Sequence, residues 1–352
     1  MKALIMGGTG AMGIHLCQLL ADNGWEVYVT SRKERLNTQR ITYIKGDAHN
    51  IEFLNSLMKN DSWDAIVDFM NYATAEFIER IGILLSSTKQ YVFLSSSRVY
   101  ANSAEPIVED SNRILDVCKD ESFLLTDDYS LAKARQENVL VNVDSRNWTI
   151  VRPYITFSEN RLQLTSLEKE DWLYRAMKGK KIILSDDLLS KRTTLTYGHD
   201  VALAISKLMG QNDALGQKYH ITSPHSITWY EVLDIYKNAF EDCFGYPMKV
   251  IITDKWKSYY GGDKAQVDYD RKYNRIFNTE KISKYIAKSE LSDTKGKLRR
   301  CFVTFVRKPE WGTINWGKEA LKDAYTHEWT MLSEIPSIKS KMRYLLNRIV
   351  NH

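Results

Sequence analysis

Apolar and polar residues alternate in a regular rhythm along the first half of the chain. Short runs rich in β-branched residues predict buried strands, at 2–6, 26–30, 41–45, 65–69, 91–95 and 149–152. Longer stretches with apolar residues on one side predict helices, at 13–23, 51–59, 74–86 and 131–141. Strands that alternate with helices in this way are typical of a parallel sheet covered by helices. The sequence therefore predicts an α/β fold with a doubly wound parallel sheet.

The rhythm changes beyond this region, where the chain becomes polar and mixed. The predicted elements here are a helix at 167–177, a strand at 193–197, a helix at 199–209 and a strand at 218–222. From 228 onward the sequence is first helical and then irregular and rich in Lys, Tyr and Trp. We predict a sheet domain and a smaller, mostly helical C-terminal domain. The sheet domain comprises 1–157 and 191–225, and the C-terminal domain comprises 158–190 and 226–352.

The segment 337–352 alternates basic and apolar residues and predicts an amphipathic helix. We expect this helix to pack on the body of the protein. Binding to a membrane surface is the alternative, but so short a segment offers limited apolar area. No window of the chain approaches the roughly 20 apolar residues of a membrane-spanning helix, and the first strand runs directly into glycines. We therefore expect no membrane partner and no secretory leader.

Composition narrows the picture further. The chain has 352 residues, of which 43% are hydrophobic and 26% charged, an ordinary globular mixture. Its four cysteines lie far apart and its histidines are not clustered, so we expect no metal site, no disulfides and a cytoplasmic location. The formal charge of +5 combines an acidic first half with a basic second half, whose excess lies mostly within 255–308. A basic half could attract nucleic acid, an anionic membrane or a phosphorylated substrate.

Gly7, Gly10 and Gly13 follow the first predicted strand and open the first predicted helix. In this spacing the first glycine permits a tight turn and the second lets the backbone approach a pyrophosphate. The third lets the helix pack closely, so that N–H groups at its N-terminus point at the phosphates. A glycine turn without a ligand is the alternative. The position between a strand and a helix favours a dinucleotide site of the Rossmann type.

The end of the second strand indicates which dinucleotide is bound. An acidic residue there would accept a hydrogen bond from the ribose 2′-hydroxyl, whereas an arginine would pair with a 2′-phosphate. The chain has Ser31 and Arg32 at this point and no carboxylate before Glu34, which favours NADP(H), with NAD(H) possible. Arg32 could equally be a solvated loop charge. Asp47, after the third strand, could meet the adenine amino group or cap the next helix.

Tyr129 and Lys133 lie four residues apart and therefore on one helix face. A lysine ammonium favours the phenolate, so Tyr129 could act as an acid or base. Tyr260 and Lys264 repeat the spacing, a match that we regard as accidental. What distinguishes the first pair is Ser96, just after a predicted strand, where such sheets hold their ligands. Its hydroxyl could hydrogen-bond the substrate oxygen that Tyr129 protonates.

These motifs resemble an extended short-chain dehydrogenase/reductase of the NAD-dependent epimerase/dehydratase family, over about residues 1–225. The resemblance rests on the glycines, on Ser96-Ser97-Arg98-Val99-Tyr100 and on the Tyr/Lys pair, and it implies a dinucleotide-binding domain and a substrate-binding domain. The implied catalytic residues are Ser96, Tyr129 and Lys133. The implied cofactor contacts are Gly7, Thr9, Gly10, Ala11, Met12, Gly13, Ser31, Arg32, Asp47, Ala48, Phe69, Met70 and Pro153. The implied substrate contacts are Ser97, Tyr154 and Arg192.

The chain also departs from the family's pattern. Sugar-nucleotide dehydratases follow the catalytic hydroxyl residue with Asp-Glu, whereas this chain has Ser97 and Arg98, so a dehydratase is disfavoured. Family epimerases usually have an acid at the position of Ser31. We expect a nucleotide-sugar epimerase or reductase that forms a homodimer. A reductase of a non-nucleotide carbonyl compound is one alternative. Another alternative is a family member that senses a dinucleotide or binds RNA. We expect this less, because the chain keeps the Tyr/Lys pair.

Overall fold

The computed structural model describes residues 1–60 and 62–350. Among these residues, seven parallel strands form one sheet, in the order β3-β2-β1-β4-β5-β6-β7. The strands are β1 (Lys2–Met6), β2 (Glu26–Ser31), β3 (Ile41–Lys45), β4 (Trp63–Asp68), β5 (Thr88–Leu94), β6 (Trp148–Pro153) and β7 (Gln217–Ile221). The predicted doubly wound α/β sheet is confirmed.

Five helices cover the sheet, because its strands are apolar on both faces. These helices are α1 (Gly13–Asp22), α2 (Ile51–Asn60), α3 (Thr74–Ser86), α4 (Tyr129–Asn142) and α5 (Gly198–Leu208). On one face, Ile5 of β1 shares a core with Leu20 of α1 and Ile205 of α5. On the other face, Leu4 shares a core with Leu84 of α3 and Leu140 of α4. The short helices Ile114–Val117 and Glu121–Leu124 precede α4.

The strand order reverses direction at β1, which lies between β2 and β4. In a doubly wound sheet, ligands bind where the order reverses, outside the carboxyl ends of the strands. The glycine turn follows β1, Phe69 and Met70 follow β4, and Ser96 follows β5. Because these three strands are parallel neighbours, the topology brings the three segments to one edge of the sheet.

The chain divides into two compact units. The first unit comprises Met1–Thr156, Thr194–His225 and Ile276–Thr294, and the second comprises Phe157–Thr193, Ser226–Arg275 and the described residues from Lys295 onward. The sequence assigned all of 226–352 to the C-terminal domain, whereas Ile276–Thr294 is part of the first unit. This segment belongs there because Ile282 and Ile286 are buried in the core of the sheet unit and Asn278 bonds to the backbone of Ile107.

The second unit is built mainly from helices. They are the short helices Leu173–Met177, Asp186–Leu189 and Lys264–Gln266, with α6 (Trp229–Phe244), α7 (Thr294–Arg307), α8 (Trp316–Thr326) and α9 (Ile338–Val350). Ile182–Ser185 and Val250–Thr253 form a parallel strand pair that the sequence did not predict. The unit also contains the two-residue strands Arg192–Thr193 and Ile227–Thr228, whereas Thr196–Tyr197 belongs to the first unit and Thr156–Phe157 lies where the chain first passes between the units.

Two elements of this region differ from their predicted extents. The helix predicted at 167–177 begins only at Leu173, because Leu164 and Leu167 exchange backbone hydrogen bonds in a tight turn. The strand predicted at 193–197 is interrupted, since its two ends pair with different partners: Arg192–Thr193 with Ile227–Thr228, and Thr196–Tyr197 with Thr156–Phe157.

The C-terminal amphipathic helix forms as α9, and residues 351–352 lie outside the described part of the chain. Tyr344 of α9 is fully buried against Trp316 and Ala320 of α8. None of the helices within the described residues has the length and apolarity needed to cross a membrane. Across the same residues, no group of three or more His, Cys, Asp or Glu side chains is arranged to hold a metal ion.

Candidate functional site

The glycine turn after β1 has three glycines with different constraints. Gly7 has a φ of +70°, a left-handed conformation that glycine adopts without strain. A Cβ on Gly13 would lie 2.5 Å from Cα of Gly8, so this position tolerates no side chain. Gly13 therefore permits a close contact between the start of α1 and the backbone of Gly8 in the turn. A Cβ on Gly10 would meet only the carbonyl oxygen of Gly7, at 4.0 Å, so the exposed face of the turn is open.

These features fit the phosphates of a dinucleotide. Helix α1 begins at Gly13, and no side chain caps the N-terminus of the helix. Uncapped N–H groups at a helix N-terminus, together with the helix dipole, favour bound anions. Thr9, Ala11 and Met12 line the same turn and are half-buried. The turn can hold a pyrophosphate at the exposed Gly10.

Phe69 and Met70, two of the predicted cofactor contacts, lie against the glycine turn. The N–H of Phe69 donates to the carbonyl of Met6, and a Cβ on Gly7 would lie 3.1 Å from Sδ of Met70. Both side chains are half-buried. The structure therefore brings the segments after β1 and β4 together at the point where the strand order reverses.

The segments after β2 and β3 are also adjacent, because Ser31 pairs in register with Lys45. The Ser31 side chain is buried and donates a hydrogen bond to the carbonyl of Lys33 at 2.7 Å, whereas Arg32 is exposed. Asp47 is exposed and accepts a hydrogen bond from the N–H of His49 at 3.0 Å.

Asp47 does not cap α2. The capping side chain is Asn50, which accepts a hydrogen bond from the N–H of Phe53 at 2.9 Å. The alternative that treated Asp47 as the helix cap was therefore wrong. Ala48, which lies between Asp47 and Asn50 in the sequence, is buried in the core of the sheet unit.

Tyr129 is the first residue of α4, and Asp128 caps this helix by accepting a hydrogen bond from the N–H of Ser130 at 2.9 Å. The half-buried ring of Tyr129 lies under the guanidinium of Arg98, 5.2 Å from its centre. This cation–π contact and the cap together fix the ring at the start of the helix. Arg98 also approaches the carboxylate of Asp128, at 3.9 Å.

Lys133 lies one turn further along α4 and is 2% exposed. Its ammonium donates a hydrogen bond to the carbonyl of Met70 at 3.3 Å and lies 4.7 Å from the centre of the Phe93 ring. Burial lowers the pKa of Lys133 to about 8, against the opposing charges of Asp68 and Glu137. The amino group of Lys133 thus lies directly beside the segment that follows β4.

The serines after β5 have separate hydrogen-bond partners. Oγ of Ser96 accepts a hydrogen bond from the N–H of Arg98 at 3.2 Å, an arrangement that leaves its O–H able to donate. Ser97 is fully buried and donates to the carbonyl of Arg152 at 2.8 Å. The hydrogen of Ser97, a predicted substrate contact, is therefore already used within the protein.

The remaining predicted contacts are placed as follows. Pro153 ends β6 and is buried. Tyr154 is buried, with its ring 5.2 Å from that of Phe277. Arg192 belongs to the second unit and is exposed, and its guanidinium donates to the carbonyl of Ser226 at 2.6 Å.

The sequence pattern of the NAD dependent epimerase/dehydratase family matches residues 3–222, more than half of the chain. The chain belongs to this family. The resemblance stated from the motifs is therefore confirmed.

Individual proteins and solved structures are also similar to this chain. Chloroplast stem-loop binding protein of 41 kDa b from Arabidopsis thaliana is 25% identical over 279 residues, which cover 75% of this chain and 68% of that protein. UDP-glucose 4-epimerase from Klebsiella pneumoniae is 27% identical over 138 residues, which cover 31% of this chain and 99% of that sequence. The crystal structure of UDP-glucose 4-epimerase from Bifidobacterium longum, in complex with NAD+ and UDP, has a TM-score of 0.65 and 17% identity. That match covers 88% of this chain and 99% of the other, and at this identity it shows the shared fold.

The site of this chain also contains a buried carboxylate, Asp68, which sequence reasoning missed. Asp68 ends β4, where it accepts hydrogen bonds from the N–H of Met70 at 2.9 Å and from the hydroxyl of Tyr91 at 2.8 Å. Burial raises the pKa of Asp68, although both hydrogen bonds and the charge of Lys133 oppose this effect. Asp68 fixes the segment whose carbonyl accepts from Lys133. In the sequence, the only signal for Asp68 was a single acidic residue at the end of the apolar run that predicts β4.

A second missed group lies one turn after Lys133. Glu137 forms a fully buried ion pair with Arg152, at 2.6 Å, and accepts a hydrogen bond from Ser95, also at 2.6 Å. Burial opposes ionisation of Glu137, but the charge and hydrogen bonds of Arg152 outweigh it and hold the pKa of Glu137 below its usual value. These contacts tie α4 to β5 and β6. In the sequence, the only signal for Glu137 was that it follows Tyr129 and Lys133 at the same spacing of four residues.

Arg98 is the third missed group. Its Nε is buried and has no hydrogen-bond partner among the described residues. A buried N–H without an acceptor is costly, so an oxygen of a ligand would satisfy it. The sequence placed Arg98 in the motif after β5 and marked it as a departure from the Asp-Glu of dehydratases, but assigned it no ligand contact.

Proposed function

We propose that the chain is an NAD(P)-dependent enzyme that epimerises or reduces a nucleotide sugar, with Ser96, Tyr129 and Lys133 as its catalytic residues. The observation that carries this proposal is the buried ammonium of Lys133, four residues after a half-buried tyrosine and bonded to the segment beside the glycine turn. A buried charge is expensive to maintain, and groups of this kind concentrate at functional sites.

In the proposed chemistry, Tyr129 takes the proton from a carbinol hydroxyl of the substrate or returns one to a carbonyl oxygen. The O–H of Ser96 donates a hydrogen bond to the same oxygen. The charge of Lys133 stabilises the phenolate of Tyr129 while the proton is away from the ring. A bound nicotinamide supplies the acceptor or donor of the hydride.

The groups around Tyr129 support an epimerase or reductase over a dehydratase. Elimination of water needs an acid/base pair beside the catalytic hydroxyl. Here Ser97 donates to a backbone carbonyl, and Arg98 is a permanent cation over the Tyr129 ring. The names of the two UDP-glucose 4-epimerases support a nucleotide sugar as the substrate class. A reductase of a non-nucleotide carbonyl compound is the alternative within the same mechanism.

For the cofactor we propose NADP(H), with NAD(H) as the alternative. The exposed Arg32 after β2, and the absence of a carboxylate at Ser31, support a 2′-phosphate. The epimerase from B. longum is in complex with NAD+, which supports NAD(H). Mass spectrometry of the small molecules released when the purified protein is denatured tests this choice. Release of NADP(H) with a sugar nucleotide supports the proposal, and release of NAD(H) alone rejects the cofactor assignment.

Tyr129→Phe tests the catalytic assignment. The variant keeps the ring under Arg98 and loses only the hydroxyl, so turnover should fall by at least about 1,000-fold while dinucleotide affinity changes little. Turnover is measured with the sugar nucleotide released from the protein, and affinity by calorimetry. Tyr260→Phe is the matched control, because that tyrosine repeats the spacing to a lysine in the second unit. Substantial activity in the Tyr129 variant would reject the assignment.

A second candidate function is RNA binding, which one observation favours. The relative from A. thaliana is described as a stem-loop binding protein, and its match covers 75% of this chain. The basic region within 255–308 could contact phosphates. Titration with a stem-loop RNA at several salt concentrations separates the two functions. Tight, salt-dependent binding with no turnover on any sugar nucleotide would replace the enzymatic proposal.

Two further properties are proposed for the chain. The family resemblance supports a homodimer formed through α4, which sedimentation analysis can test. The four cysteines are all free, which supports a reducing, cytoplasmic location.

A further inference from the structure

Helix α9 presents an apolar face to solvent. Ile338, Met342, Leu346 and Ile349 are 77%, 58%, 60% and 67% exposed. Their spacing of four, four and three residues places them on one side of the helix. Scattered apolar residues are normal on a protein surface, but an aligned row of four large ones indicates an interaction site.

The packing of α9 uses a different side of the helix. Tyr344 is buried, donates a hydrogen bond to Asp323 at 2.7 Å and accepts one from the N–H of Thr330 at 2.9 Å. Helix α9 therefore packs on α8 through Tyr344. The exposed row of α9 takes no part in this core.

Two exposed apolar side chains precede the helix in the chain. Trp329 is 52% exposed, and its ring lies 5.8 Å from that of Tyr344 and under the guanidinium of Arg348. Met331, two residues on, is 68% exposed. A half-exposed tryptophan is typical of segments that lie at a membrane–water interface. The sequence suggested too little apolar area for a membrane surface, because it does not show which apolar side chains of α9 stay exposed.

The charges of α9 distinguish between possible occupants of this face. The helix carries four basic residues and no acidic one, and Lys339 and Lys341 flank the apolar row on its two sides. A second copy that met this face about a two-fold axis would oppose like charges. RNA would leave the aliphatic side chains unpaired with bases. Anionic lipid complements both the apolar row and its basic borders.

We propose that the exposed apolar row of α9 docks the protein on the surface of an anionic membrane. In the docked state the apolar row enters the boundary between headgroups and acyl chains, and the helix lies in the membrane plane. Lys339 and Lys341 meet the lipid phosphates. This role is independent of the proposed activity.

Sedimentation of the full chain with vesicles tests the proposal. The probes are vesicles of phosphatidylcholine alone and of phosphatidylcholine mixed equally with phosphatidylglycerol. We expect binding to the anionic vesicles at least about tenfold stronger than to the neutral ones, and weaker as salt is raised. The double variant Met342→Glu, Leu346→Glu should lose at least about tenfold in this affinity, since both side chains are exposed and their replacement leaves the Tyr344 core intact.

The matched control is Val117→Glu, Leu125→Glu, which adds the same charge at two exposed apolar positions of the first unit. This control should bind like the unaltered protein, and both variants should keep its thermal unfolding midpoint. Equal binding to the two kinds of vesicle would overturn the proposal, as would equal losses in both variants. An unaltered protein that binds neither kind of vesicle, but dissociates to monomers on Met342→Glu, would assign the face to self-association instead.

Discussion

At the scale of single residues, the candidate site is defined by charges that the fold keeps out of water. Lys133 and Asp68 are both almost inaccessible to solvent. Burial lowers the pKa of Lys133 and raises the pKa of Asp68, which favours the neutral form of each side chain. They are linked through Met70, whose N–H donates to Asp68 and whose carbonyl accepts from Lys133. Burying both groups therefore costs free energy of folding, and costs of this kind concentrate at functional sites.

Lys133→Met should stabilise the protein at neutral pH. With a folded pKa of about 8 and an unfolded value of 10.5, Lys133 binds more protons in the unfolded chain across this interval. Its charge thus disfavours folding below pH 8, and this cost diminishes as the pH rises toward 10.5. We expect the variant to gain about 1 to 3 kcal/mol at pH 7 and to lose turnover. Urea unfolding between pH 7 and pH 10.5 measures the difference.

Lys119→Met, at an exposed position, is the control and should leave the pH dependence of stability unchanged. A Lys133→Met variant less stable than the unaltered protein at pH 7 would contradict the prediction. It would mean that the contacts of Lys133 with Met70 and with the neighbouring carboxylates outweigh the cost of burial.

The sequence located the candidate catalytic residues but not their partners. Ser96, Tyr129 and Lys133 stand out because their spacing matches a chemical role. The partnership of Ser97 with the carbonyl of Arg152 depends on how β5 and β6 pair, and the burial of Tyr154 depends on Phe277, far along the chain. Such contacts leave no local pattern, so the sequence offered Ser97 and Tyr154 as substrate contacts without showing what else they touch.

At the scale of elements, local periodicity was sufficient for the sheet unit. The structure has β1 at Lys2–Met6, β3 at Ile41–Lys45 and α3 at Thr74–Ser86, the extents that the pattern predicts. Buried parallel strands are apolar throughout, which makes them easy to identify. The strand Ile182–Ser185 was missed because it is a four-residue run between polar segments, and its partner lies more than 60 residues further on.

The glycine turn before α1 permits a paired test. Gly13→Ala places a Cβ against backbone atoms of Gly8 that cannot move aside, so we expect a loss of about 1 to 3 kcal/mol in the free energy of unfolding. Gly10→Ala meets no protein atom closer than 4.0 Å. It should preserve stability within about 0.5 kcal/mol and weaken dinucleotide binding at least about tenfold. Urea unfolding and calorimetric titration measure the two effects. Equal dinucleotide affinity in Gly10→Ala would show that the phosphates do not approach this glycine.

At the scale of the whole molecule, each unit depends on residues distant in sequence. In the second unit, Arg175 is fully buried and forms ion pairs with Glu319 at 2.9 Å, Asp323 at 2.6 Å and Glu328 at 3.0 Å. One short helix is thereby tied to α8 and to the residues after it. The sequence predicted a mostly helical C-terminal domain, but no local pattern pairs one arginine with acids about 150 residues away.

Arg175→Met should destabilise the second unit by about 3 to 5 kcal/mol, because it leaves three acids without their common cation. Lys178→Met is the control, since Lys178 forms a solvent-exposed ion pair with Glu334, and its loss should cost less than about 1 kcal/mol. Urea unfolding followed by circular dichroism compares the two. Equal effects would mean that the buried pairs contribute no more than a surface pair.

The division of the chain has a consequence for its synthesis. The polypeptide passes between the two units at five points, so neither unit is complete until late in translation. Strand β6 is made long before its neighbour β7, and the segment from Ile276 follows later still. At common rates of elongation, a nascent sheet would wait on the order of 10 s for these residues, with the edge of β6 unpaired. On the ribosome, this edge stays open to non-native pairing until β7 is made.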